Sequence, residues 1–323
     1  MSANYFVARW ILGGVDWVEL VDQARKTKVT VTPSIGNIAC QMMVNGKNAL
    51  WTPEENFPRA QTARAMGGVP FLWPWANRID QDAYFFDGKE YLLNSKLGNL
   101  RRDANQKPIH GLVLFTPHWR VTAMEADESA AWVTSLLEFW KYPDWMAQFP
   151  FAHTVEMTYR LSGGTLEVET AVHNRSASAM PVLMGFHPYY QLHDAPRDEW
   201  RVHIGAKERM TLSPQFIPTG ERTPVDLPDP LPLKGVQFDD VFTSLTSGFW
   251  VQGKQEKIEV RYGPKFTVGV VYAPPGKSLI CFEPMSGVTN AFNLAHAGLY
   301  DGLQTIPSDS EWRESFWISP SGF

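Results

Sequence analysis

Five short stretches of this 323-residue sequence set groups able to hold or move protons into apolar surroundings. In SLICFEPMSGVTNAFN, the run Leu279 to Phe282 reads as a buried strand that ends at Glu283, with Pro284 as its stop. A carboxylate at the end of a core strand is costly unless it is paired, solvated or used. In PVLMGFHPYYQL, His187 follows an apolar strand and precedes a proline, which enforces an extended backbone before it. A histidine there suits acid–base work because its ordinary pKa lies near neutrality. A buried histidine bonded to backbone fits the same pattern. In GGVPFLWPWANRID, prolines and tryptophans precede Asn77 and Arg78. The Arg78 fork suits a carboxylate or paired hydroxyls, or ties down a loop through carbonyls. KPIHGLVLF places His110 before a glycine, where a structural histidine is the commoner role. In GVQFDDVFTSL, Asp239 and Asp240 read as a solvated turn or, given their apolar neighbours, as acids facing a site.

The elements that must position these groups read mostly as strands. Val155, Met157, Tyr159 and Leu161 alternate with polar residues, and after Ser162-Gly163-Gly164 the alternation resumes at Leu166, Val168, Thr170 and Val172. That is a β-hairpin signal. Asn45-Gly46 marks a second tight turn, and KIEVRYGPKFTVGVVYAPPGKSLICFEP gives three strand candidates parted by Gly-Pro and Pro-Pro-Gly breakers. Helix patterns are scarce. The best, Trp17 to Lys28, fits an edge strand equally well. With prolines and glycines spread along the chain and no linker or repeat, the pattern predicts one large antiparallel β domain over 1–323, a sandwich.

Composition excludes several function classes. The net charge is −5, without the basic footprint of a nucleic-acid binder or a polybasic membrane segment. No stretch reaches the ~20 apolar residues of a membrane helix. The N-terminus lacks a basic start and is broken by Asp16, which argues against a signal peptide. Cys40 and Cys281 are the only cysteines, too few for a disulfide framework, and a cytoplasmic setting is expected. His118, His153, His173, His193, His203 and His296 show no HxH or HExxH spacing, so no metal site is indicated.

GGVPFLWPWANRI, IHGLVLF, GFHPYYQL, PTGE, FDDVF and FEPMSGVTNAFN follow one another at a spacing that resembles the aldose 1-epimerase (galactose mutarotase-like) family. IGNIACQMMVNGKNALW resembles that family's first hairpin, so the likeness covers the chain from about Ser34 onward. The resemblance implies an all-β, antiparallel β-supersandwich with a sugar site on the concave face of a sheet. It implies interconversion of the α and β anomers of a free aldohexose, with no cofactor and no metal, by a monomer or homodimer. By motif, it makes Glu283 the catalytic base and His187 the acid at the ring oxygen. Arg78, His110 and Asn77 then bind sugar oxygens, Asp239 accepts from sugar hydroxyls with Asp240 as its rival, and Trp75 offers a face to the ring. Asp239 is preferred because it stands three residues before Phe242, as the family's acid does before its aromatic.

The flanks of His187 differ from those of many galactose mutarotases, so the implied substrate is an aldohexose rather than galactose in particular. Relatives acting on hexose 6-phosphates surround the phosphate with arginines, a role open here to Arg101-Arg102, though an adjacent pair on a polar loop equally reads as a solvated face. A non-catalytic carbohydrate-binding protein would not need both His187 and Glu283. A glycosidase would pair Glu283 with Asp239 or Asp240 and would not need the histidines.

Overall fold

The alternating residues of 153–174 fold as the strands His153–Ser162 and Thr165–Asn174, paired antiparallel around the Gly163-Gly164 turn. Val155, Met157, Tyr159 and Leu161 are buried, while Thr154, Glu156, Thr158 and Arg160 face outward, as period two requires. The structure is a computed structural model and describes residues 4–53, 57 and 66–323.

This hairpin lies in a nine-stranded sheet. Its order is Leu231–Pro232, Arg201–His203, Phe249–Gln252, Lys257–Tyr262, Glu311–Ser321, Thr165–Asn174, His153–Ser162, Ala131–Glu138 and Arg120–Ala126. An eight-stranded sheet packs against it. It runs Pro218–Pro224, Ala206–Leu212, Phe238–Leu245, Val268–Ala273, Ile280–Met285, Gly185–Phe186 and Phe71–Leu72, with Tyr189–Tyr190 also paired to Ile280–Met285. Aromatic rings join the two sheets, with centroids 4.8 Å apart for Phe186–Phe316 and 5.8 Å for Phe249–Phe282. The three C-terminal strand candidates become Lys257–Tyr262, Val268–Ala273 and Ile280–Met285. Pro284 is not a stop: it pairs opposite Gly269, so Glu283 stands inside its strand rather than at the end.

A five-stranded sheet begins the chain, and it corrects the reading of Trp17 to Lys28. That segment is neither helix nor edge but most of the Val15–Asp22 strand, its turn and the start of Thr27–Thr32, and Val15–Asp22 is paired on both sides. Val18, Leu20 and Asp22 point inward in period two, and Asp22 accepts from the Arg25 and Gly164 backbone N–H groups. The Asn45-Gly46 turn is as expected, with φ of 49° and 86° matching the left-handed pair of a type I′ hairpin. Among the described residues, helix is confined to short pieces such as Pro143–Met146 and Ala291–His296. No helix among the described residues is long and apolar enough to cross a membrane.

His153 and Trp73 meet in the core. The Trp73 indole donates to His153 Nε2 at 2.8 Å, and His153 Nδ1 lies 2.6 Å from the Phe151 carbonyl. Both ring nitrogens are satisfied only by a neutral imidazole that carries its proton on Nδ1. Burial accordingly pushes its pKa down to about 3. The unfolded chain gains this proton below about pH 6.5 and the folded chain does not. Stability therefore falls as pH drops from there toward about 3. His153→Phe should cost about 1–3 kcal/mol at neutral pH by orphaning the indole N–H. It should also lose less stability than the parent between about pH 7 and pH 5, as linkage at this one group requires. Chemical denaturation at the two pH values checks this; parallel losses in both proteins would remove His153 as a source of acid lability.

Candidate active site

Strand alternation puts Cys281, Glu283 and Met285 on one face of Ile280–Met285. Glu283 is 1% exposed, and its Oε1 lies 3.3 Å from Nε2 of His187, which is 7% exposed. His187 follows the Gly185–Phe186 strand, and its backbone N–H donates to the Pro70 carbonyl at 3.0 Å. Tyr189 stacks on the imidazole at 4.6 Å, while His110 meets it edge-on at 5.4 Å and Tyr272 at 6.0 Å. The second carboxylate oxygen of Glu283 has no hydrogen-bond partner among the described residues.

These groups share the wall of a cavity of about 200 Å³ with Met66, Asn77, Arg78, Ile109 and Asp239. The volume lies below the ~300–1,000 Å³ of pockets for drug-sized ligands and suits one small polar ring. A larger cleft of about 660 Å³ adjoins it at Asp239 and Tyr272. The acid–base pair belongs to the smaller cavity, and that is where chemistry is placed.

Arg78 is the organising cation. Its Nε donates to Asp103 Oδ2 at 2.7 Å, Nη1 to Asn77 Oδ1 at 3.1 Å and Nη2 to Asp239 Oδ2 at 3.4 Å, with the Phe216 ring 4.9 Å from the guanidinium. The loop that carries it is fastened at both ends. Asn77 takes a φ of 58°, and its carbonyl accepts from the His110 N–H. The Arg78 carbonyl accepts from the Asn290 N–H, and the Asn290 side chain accepts from the Asp80 N–H. His110 itself has a φ of 63°, beside Gly111, where a Cβ would lie 2.0 Å from the Trp73 carbonyl oxygen. Left-handed backbone at Asn77 and His110 holds strain of order 1–3 kcal/mol each, kept in place by the surrounding contacts.

Burial decides the charges. It pushes His187 down to about 3, with Arg78 adding to the fall. It pushes Glu283 well above the usual carboxylate range; Asp239 adds to the rise and Arg78 opposes it. His110 is driven well below neutrality by burial, then by His187, Arg101 and Arg78. Asp239 is raised by burial against the pull of Arg78. The wall therefore holds neutral imidazoles and a carboxyl that resists ionising, so the His187–Glu283 contact carries a single proton. A base and an acid can be made from that pair without changing its total charge.

Six of the seven residues expected at a site line this cavity: Asn77, Arg78, His110, His187, Asp239 and Glu283. Trp75 does not. It is fully buried and its backbone bridges to Leu183, which puts its indole in the core. Trp73 is likewise held in the core by His153. Asp240 faces away from the cavity, with Arg209 at 3.5 Å, as alternation beside Asp239 requires. Three contributors escaped the sequence reading. Tyr189 lies in the quoted HPYYQL, where its position two residues after His187 on an extended backbone was the available signal. Tyr272 sits opposite Asp239 and Cys281 in the sheet, and Asp103 holds Arg78 from a distant loop. No local pattern marks either one.

Comparison with known proteins gives a consistent family. The profile of the family described as Aldose 1-epimerase matches residues 41–319. The uncharacterized protein YihR of Escherichia coli K12 is 28% identical over 149 residues, 46% of this chain and 44% of that protein. The match thus spans less than half the length of that curated relative. A galactose mutarotase-like protein from Clostridium acetobutylicum superposes with a TM-score of 0.87 at 18% identity, over 99% of both chains. The Slr1438 protein of Synechocystis sp. PCC 6803 gives 0.77 at 24% identity, over 95% of this chain and 96% of that one. Galactose 1-epimerase from Lactobacillus acidophilus NCFM gives 0.71 at 14% identity, over 100% of both. At these identities the structural likeness carries the fold, a galactose mutarotase-like β architecture.

The buried charges are directly measurable. Histidine-selective NMR should find His187 neutral at about pH 5, a pH at which an unperturbed histidine is charged, and protonating only near 3. Arg78→Met should raise that value, because the guanidinium disfavours a second cation nearby. A His187 signal that titrates near its ordinary pKa would show the ring to be solvated rather than buried.

Proposed function

The chain belongs to the aldose 1-epimerase family, and on that premise we propose that it interconverts the α and β anomers of a free aldohexose. The observation that carries this reading is the 3.3 Å contact between His187 Nε2 and Glu283 Oε1 on the wall of a cavity sized for one ring. Opening a hemiacetal needs a base at the C1 hydroxyl and an acid at the ring oxygen, both within reach of one carbon.

The reaction then runs on this chain's own groups. Glu283 takes the proton from the C1 hydroxyl while the bond from C1 to the ring oxygen breaks. The bonding pair goes to the ring oxygen, which receives the proton carried by His187, and C1 becomes an aldehyde carbon. Rotation about C1–C2 presents the other face, and reclosure reverses both transfers. The active form places the pair's single proton on His187, and burial alone favours placing it on Glu283. Arg78 favours the Glu283 carboxylate, and sugar hydroxyls entering the cavity replace the solvation that burial removed. Neutral His110 and the Asp239 carboxylate, held by Arg78, suit hydrogen bonds to sugar oxygens. Each proton transfer is worth roughly 10²–10⁴-fold.

A hexose 6-phosphate reading would draw on Arg101 and Arg102. Arg102 already donates to both oxygens of Asp82, and Arg101 lies over the Phe115 ring at 5.2 Å, so neither favours the phosphorylated substrate. A purely binding role leaves the buried His187–Glu283 contact without a purpose.

Glu283→Gln and His187→Asn should each lower kcat for anomer exchange by at least ~10²-fold with the fold intact by circular dichroism. Either variant equilibrating freshly dissolved α-glucose at the parent rate, by polarimetry or NMR saturation transfer, would remove that residue from the chemistry. Asp239→Asn should weaken sugar binding more than Asp240→Asn, since only the former carboxylate lines the cavity. The opposite ranking would shift the role by one residue.

A further inference from the structure

We infer that His187, Cys281 and Glu283 form a binding site for a borderline-soft divalent cation of the zinc type. One donor atom from each residue lies within 4.8 Å of the others, and all three residues are buried. Cys281 and Glu283 project from the same face of the sheet because they are two residues apart on one strand. His187 Nε2 and Glu283 Oε1 stand 3.3 Å apart. Two ligands bound at about 2.0–2.1 Å in a tetrahedral shell stand about 3.3–3.4 Å apart, so that edge of the shell is already formed. The free oxygen of Glu283, itself 1% exposed, adds a donor with no competing partner.

The chemistry of the donors selects the ion. One sulfur, one imidazole nitrogen and one carboxylate make a set that favours zinc over magnesium or calcium. Three protein ligands leave a fourth position, and two of the three, His187 and Glu283, line the cavity. Binding exchanges the cation for two protons, one from the Cys281 thiol and one from the His187–Glu283 pair. The site holds no net charge before or after, so the exchange buries no new charge. A cation there occupies both proton-carrying groups. Its consequence is inhibition, not cofactor chemistry. That consequence rests on the epimerase reading; the coordination does not.

Cobalt(II) titration of the 323-residue chain reads the site without reference to activity. The parent should develop a thiolate-to-cobalt charge-transfer band with tetrahedral ligand-field absorption, displaced by zinc and unaffected by magnesium. Cys40→Ser should behave as the parent, because Cys40 is packed elsewhere against Ile38 and Phe57. Cys281→Ser should lose the charge-transfer band and bind zinc at least ~10-fold more weakly, as loss of a metal-site contact does. A cobalt spectrum unchanged in Cys281→Ser would overturn the site. X-ray absorption of the zinc-loaded parent, which needs no variant, should show one sulfur neighbour; nitrogen and oxygen neighbours alone would also overturn it. Anomer exchange should stop at one zinc per chain and return with chelator. Sulfur-bound zinc in a chain that never exchanges anomers would sink the epimerase reading and keep the metal site. An active enzyme with no cobalt charge-transfer band would do the reverse.

Discussion

The structure depends on keeping the Glu283 carboxyl inside the protein without leaving a bare charge there. An isolated buried carboxylate is expensive, and groups in that position shift their pKa and neutralise instead. Here a neutral imidazole stands 3.3 Å away, and together they hold one proton. The total charge of the pair is fixed, so moving the proton separates charge within the pair without adding any; burial opposes that separation, and Arg78 favours the Glu283 carboxylate it creates. Burial is thus not incidental to the proposed chemistry. It makes both groups poor at holding a charge alone, and so makes them responsive to whatever enters beside them.

The surrounding frame answers to that requirement. The strand Ile280–Met285 lies in the interior of its sheet, flanked by Val268–Ala273 on one side and by Gly185–Phe186 and Tyr189–Tyr190 on the other. Glu283 is therefore fixed inside a paired strand, and His187 is held in the two-residue gap between two strands that pair with that strand, with its own N–H on the Pro70 carbonyl. Arg78 sits on a loop, and it is restrained by Asn77, Asp103 and Asp239 through side chains and by Asn290 through the backbone. Its charge is largely spent on those acids, which lets it bias Glu283 without forcing His187 and Glu283 apart into full charges.

Period-two alternation made the strands legible, because a residue facing the core differs in kind from its neighbours. The same alternation explains why Asp239 rather than Asp240 meets the cavity. It failed at Trp17 to Lys28, where Val18 and Val21 three apart imitate a helical face while the alternating Val18, Leu20 and Asp22 set the true period. Residues of the site were legible where a chemical type and a structural signal coincided, as at His187 before a proline. They were not legible where the contact is purely long-range. Asp103 reaches Arg78 across 25 positions, and nothing in NLRRDANQ distinguishes it from a solvated acid. Trp75 was misplaced for the opposite reason: a tryptophan beside a polar motif suits a sugar platform and a core equally, and only three dimensions separate the two.

Cys281 shows how one strand face can serve two chemistries. Its position two residues before Glu283 follows from the pleat alone, and a thiol is a good core residue, so its presence needs no functional cause. Once the pleat brings it beside a carboxyl and an imidazole, the ligand set exists whether or not it was selected. A site that manages protons by having two donors close together and poorly solvated also meets the conditions for gripping a soft cation. A cation entering there has to displace the proton on the Cys281 thiol as well as the one that the pair holds. Burial and the adjacent Glu283 raise that thiol well above its usual range, so the burial that neutralises the pair also sets what a cation has to displace in order to bind.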